Sequence, residues 1–121
     1  MSLTFKEFQR VSQQRNGAWH NDGVRPWVLP DYGNAAAGEM GELCNYIKKL
    51  QRVRDGLRNV SDNTINDETV LKTMVGREIA DVLSYLVLVC IQEGLDMESV
   101  LIDKFNAVSD RVGLSEFKLA A

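Results

Sequence analysis

Apolar residues recur at three- and four-residue intervals along four stretches of this chain, and nowhere do they alternate with polar ones as in a strand. The first stretch, residues 4–14, opens with Thr4 and Glu7 at capping-box spacing and with Leu3 and Phe8 where a hydrophobic staple would put them. It predicts a helix starting near Phe5. A second helix is predicted from about Tyr32 to Val53, with Asp31 placed to cap it and with Met40, Leu43, Cys44, Ile47 and Leu50 as its apolar stripe. Ala35, Ala36, Ala37 and Gly38 give that helix a small-residue face suited to close approach by another. A third helix runs from about Asp67 to Glu93 and ends at Gly94. Its second half is apolar nearly all round, as in a helix that is central or lies in a subunit interface. Asp96 caps a fourth, with Leu95 and Val100 at staple positions, a core of Val100, Leu101, Phe105, Val108 and Val112, and Gly113 as its stop.

Between these stretches the period is lost. Residues 16–30 hold two glycines, both prolines and both tryptophans of the chain, and read as an ordered loop. Residues 54–66 are polar, broken by Gly56 and rich in Asn, Asp and Ser, and read as a second loop without evident structure. The pattern predicts an all-α fold, a four-to-five-helix bundle in a single domain. Residues 1–30 form its first helix and loop, 31–112 its main helices, and 113–121 a loose tail.

Composition narrows what such a fold can do. With 121 residues, 45% of them apolar, the chain can bury one modest core. A net charge of −3 and a pI near 5.1 argue against a nucleic-acid-binding surface, which carries a basic excess on one face. Free nucleotides stay in play, because a metal can bridge anion to anion. Cys44 and Cys90 both fall among apolar helical residues and read as small buried hydrophobes in a reducing, cytoplasmic setting. The N-terminus lacks the apolar core of a signal peptide. The longest apolar run, Val82 to Ile91 interrupted by Ser84 and Tyr85, is too short to span a bilayer, so a soluble protein with no membrane partner is expected.

The candidate chemistry lies in two helices. Glu39 and Glu42 stand three residues apart in GEMGELCNYIKKL, hence about 60° apart and beside the apolar stripe; Glu78 and Asp81 repeat the arrangement in REIADVLSYL. On exposed faces these would be four solvated charges, as most acidic residues are. Brought together they would repel, and burying them unpaired is costly unless a cation joins them. An all-carboxylate set without His or Cys suits a hard cation such as Mg²⁺, which takes a few carboxylates and fills its remaining positions with water or phosphate oxygens. A di-iron bundle would want Glu-x-x-His motifs, and the one histidine, His20, falls in the first expected loop.

The segments GEMGEL and REIADVLSYL, with WVLPDYGNAAAGEMGELCNYIKKLQR before and KFNAVSDR after, resemble the MazG-like all-α nucleoside triphosphate pyrophosphohydrolases from about Trp27 to Arg111. The resemblance implies that Glu39, Glu42, Glu78 and Asp81 bind Mg²⁺, with Mn²⁺ as a substitute. It also implies cleavage of a (deoxy)nucleoside triphosphate between the α and β phosphates, in nucleotide-pool house-cleaning. Glu42, or else Glu39, is then the base that takes a proton from the attacking water. The family's oligomers, together with the apolar third helix, lead us to expect a homodimer or a pair of dimers.

Several further residues admit two readings. Lys48 and Lys49 either bind phosphate or, with Arg52, complement the helix dipole. Lys104 and Arg111, seven apart, share one face of the fourth helix and either meet the triphosphate or are plain surface cations. Asn106 belongs to the resembling KFN segment but points away from Lys104. Trp19 and Trp27 either stack on a nucleobase or cover the bundle end, and Tyr85 either orients a ligand or packs. The rival reading of the whole chain is a non-catalytic helical oligomerisation module whose acidic pairs only solubilise it.

Overall fold

The computed structural model describes residues 2–19, 26–60 and 65–120. Among them are four α-helices and no strand: α1 (Phe5–Trp19), α2 (Leu29–Arg54), α3 (Glu68–Gln92) and α4 (Met97–Arg111). No helix of the described residues is long and apolar enough to cross a membrane. The expected loop position of His20 and of residues 21–25, and residues 61–64 of the second loop, lie outside the described residues.

Helix ends follow their caps. Thr4 Oγ1 accepts from Glu7 N at 3.1 Å, Asp67 Oδ1 from Val70 N at 2.9 Å, and Asp96 Oδ2 from Ser99 N at 3.4 Å. The capping box at Thr4 is only half formed, because the Glu7 carboxylate pairs with Arg10 instead, at 2.7 Å. Leu3, 75% exposed, makes no staple. Three helices stop at a glycine in the left-handed region: Gly56 (φ 75°), Gly94 (φ 67°) and Gly113 (φ 77°). At each, paired 6→1 and 5→2 bonds close the end, as Leu57 N to Arg52 O and Gly56 N to Val53 O do for α2. Two boundaries differ from the sequence expectation. Helix α1 runs on through Gly17 to Trp19, since a helix pays only entropy for one glycine. Helix α2 starts at Leu29 and not after Asp31, because Pro30 lies in the first turn, where its missing N–H has no helical partner to lose.

The chain divides into two compact units. The first comprises residues 1–28 and 87–121, and the second residues 29–86. In the first, α1 packs on α4. Gln9 pins the start of α4, donating to Leu95 O and accepting from Met97 N, both at 2.8 Å, and Lys6 pairs with Glu98 at 3.8 Å. The buried residues of these helices are Ser12 and Ser109. The expected α4 core is corrected accordingly: Val100, Leu101, Phe105 and Val112 are exposed and Val108 half-buried. The tail is not loose. Asn106 grips the Leu119 backbone with both ends of its amide, and Asp110 holds Ser115 and Lys118.

The second unit is an antiparallel hairpin of α2 and the first part of α3, tied at one end by Arg54 to Glu68 at 2.7 Å. Its connection is ordered at the base. Asn59, buried, donates through its backbone N–H to Asn66 Oδ1 (2.8 Å), accepts from Asn66 Nδ2 (3.2 Å), and donates from its own side chain to Lys49 O (3.2 Å). Helix α3 has buried positions in both units, Leu71 and Val82 in the second and Val87 in the first. Of the small-residue face, Ala35 and Ala36 are half-buried, whereas a Cβ on Gly38 would meet nothing within 4 Å.

A candidate metal centre of facing carboxylates

Which face of α2 is buried decides the chemistry. The buried stripe is Tyr32, Leu43 and Leu50, and Glu39, half-buried, stands in the same line: seven residues past Tyr32 and four before Leu43, all within about 40°. Helix α3 repeats this register with Leu71, Glu78 and Val82, again at steps of seven and four, and Glu78 is only 7% exposed. Each helix therefore places a glutamate where its neighbours above and below are core residues. The sequence expectation put the acids beside the apolar stripe. In fact the buried face is turned about 50° toward them, leaving Met40, Ile47 and Cys44 exposed. Cys44 is thus not a buried hydrophobe. Cys90 is half-buried, and its burial pushes the thiol up.

Facing each other across the hairpin, Glu39, Glu78 and Asp81 each offer an oxygen such that all three lie within 4.8 Å of one another. Glu39 Oε2 and Glu78 Oε2 are buried and have no hydrogen-bond partner. Glu42 is exposed and outside this trio, but its charge bears on Glu39. The Glu39 carboxyl is pushed up to about 7, first because a proton placed on it would bond to Glu78, then by burial, then by the charge of Glu42 and a bond to its carboxylate, with the charge of Asp81 adding to it. The physical reason is plain: two ionised carboxylates are two acceptors without a donor, and a proton on Glu39 supplies one. A cation supplies the same relief without a proton. An all-oxygen trio fits a hard divalent ion that keeps water among its ligands.

The other sequence candidates are distributed as follows. Lys48 and Lys49 line a separate pocket with Arg52, Asn59 and Val60. Lys104, Arg111, Asn106, Trp19 and Trp27 belong to the first unit. Lys104 and Arg111 are exposed surface cations, Arg111 in the last turn of α4. Trp19 is 70% exposed at the end of α1, so it covers no core, and Trp27 is half-buried. Asn106 acts as a clamp on the tail, with both polar atoms of its amide engaged by Leu119, at 2.9 and 2.8 Å. Tyr85 is half-buried one turn after Asp81. Sequence reasoning missed Asn59 and Asn66, whose only signal was their place in an Asn-rich loop, and the role of Arg52 in the basic pocket. No protein-family model, curated protein or solved structure matches this chain.

Proposed function

We propose that this chain is a Mg²⁺-dependent pyrophosphohydrolase of the MazG-like kind, converting a (deoxy)nucleoside triphosphate and water to the monophosphate and pyrophosphate and so clearing surplus or noncanonical nucleotides. The observation that carries the reading is the pair of buried, donorless oxygens, Glu39 Oε2 and Glu78 Oε2, held by two helices in matching register beside Asp81. A fold bears such a cost only where something else satisfies it. Glu39, Glu78 and Asp81 would hold the ion. Bound there, Mg²⁺ or Mn²⁺ would neutralise triphosphate charge and polarise the phosphorus under attack.

The remaining work falls to the chain. Glu42, exposed and outside the trio, would accept a proton from the attacking water. Assembly follows from the same turn of α2: Met40 and Ile47, seven apart, stand 46% and 48% exposed, and on α3 so do Ile79 and Leu86 at 46% and 40%. Two apolar stripes on one hairpin suit a second copy of the chain, hence a homodimer or a pair of dimers.

Turnover of a dNTP in ¹⁸O-labelled water tests the reaction. Label should appear in the monophosphate and not in pyrophosphate, and Glu42→Gln should abolish turnover while nucleotide still binds. A nucleoside diphosphate and orthophosphate as first products would refute the reading. Absence of turnover with any triphosphate, alongside intact oligomers, would favour the interaction module.

A further inference from the structure

The last two turns of α2 gather a second kind of charge. Lys48, Lys49 and Arg52, with Asn59 and Val60, line a pocket of about 240 Å³. Lys48 and Arg52 are four apart and Lys49 and Arg52 three, so their heads share one side of the helix. Among the described residues none of the three pairs with a carboxylate; Lys49 lies over the Tyr46 ring at 5.6 Å, and Arg52 donates to Arg58 O at 3.2 Å. The ordinary use of cations here is to satisfy the last carbonyls of a helix. That need is already met, because Asp55, Gly56 and Leu57 donate their N–H groups to Gln51, Val53 and Arg52, and the Asn59 side chain donates to Lys49 O. Another lining residue is fixed as well: Asn59, 93% removed from solvent, is locked by Asn66 from both sides of its peptide.

We propose that this pocket is an anion site for the phosphates of pyrophosphate or of a nucleotide, occupied without a metal and separate from the carboxylate centre. Separation follows from helix geometry, since Lys48 begins six residues beyond Glu42, about 9 Å along the axis. Size selects the ligand. The volume matches about eight waters, enough for a diphosphate and below the 300 Å³ or so at which whole drug-sized ligands are taken. Charge selects it too, because three cations facing one cavity favour a multiply charged anion over a monovalent one.

The experiment is calorimetric titration of inorganic pyrophosphate into the full chain in EDTA, so that no metal takes part and the outcome is independent of whether the carboxylate centre is catalytic. Saturable binding is expected, weakened about tenfold for each of Lys49→Gln and Arg52→Gln and unchanged in Glu78→Gln. Titration followed by amide NMR should move the Asn59 side-chain signal in the wild type and not in Lys49→Gln/Arg52→Gln, a readout that also reports whether the variant stays folded. A dNTP in EDTA should compete with pyrophosphate at similar strength. The proposal is overturned by wild-type protein that binds no pyrophosphate, by variants that bind it equally well, by binding that vanishes in Glu78→Gln, or by a dNTP that pyrophosphate cannot displace.

Discussion

Replacing Glu39 by Gln should make the metal-free protein more stable at pH 8 and leave it nearly unchanged at pH 5. Glu39 has its carboxyl raised from 4.5 to about 7 by its neighbours, so the folded chain holds a proton that the unfolded chain gives up. For a raised carboxyl, its contribution is fully present below pH 4.5, falls as pH rises through 7, and is gone above that. Glu39 is only half-buried, so solvent screening holds the effect of that shift to about 1 kcal/mol. Glutamine keeps the shape and supplies a donor to Glu78 at every pH. In a chain of this length that difference is worth about 4 °C in Tm. The window is clean: Glu7, Asp96 and Asp110 have lowered carboxyls, held down by Arg10, by Ser99, and by Ser115 with Lys118, so the stability they lend is lost only as pH falls toward 4 and below. Urea melts in EDTA from pH 5 to 8 read the effect directly. Parallel curves for the two proteins would refute the clustering of Glu39 with Glu78.

Free Mg²⁺ at a hundred times its dissociation constant should stabilise the wild type by about 2.7 kcal/mol, and a thermal melt should show Glu78→Gln losing most of that gain. Asn106→Ala removes both amide contacts to Leu119 and should cost about 1 to 2 kcal/mol, with hydrogen exchange at Leu119 rising far more than at Phe105. Gly56→Ala must hold a side chain at φ 75° and should lower stability by about 1 kcal/mol in a urea melt, although open space surrounds the new Cβ.

Helix limits were the most legible part of the fold, because each is set by a local device written in a few residues. Thr4, Asp67 and Asp96 mark three starts, and Gly56, Gly94 and Gly113 three ends. Where the device was ambiguous the reading slipped: Asn16-Gly17 resembles a break but is compatible with helix, and Pro30 resembles a loop residue but suits a first turn. The tail and the second loop were illegible for a different reason. Their order depends on amides acting across distance, Asn106 to Leu119 and Asn59 to Asn66, and no local pattern encodes which backbone group an asparagine will find.

The acidic residues were legible as candidates, but their placement was misread, and the error has a physical source. Counting apolar residues alone puts the centre of the α2 stripe between Met40, Leu43 and Ile47, and so assigns Glu39 to the flank. Counting positions instead, Tyr32, Glu39 and Leu43 have the same spacing as Leu71, Glu78 and Val82, and the glutamate in each belongs to the core line. A hydrophobicity rule must fail where burial is decided by something other than transfer from water, and a pair of facing carboxylates with buried, unpartnered oxygens is such a place. The exposed Met40 and Ile47 are the other half of that arrangement. Turning α2 far enough to bring Glu39 against Glu78 turns these two outward, so one rotation of one helix both assembles the carboxylates and exposes an apolar stripe.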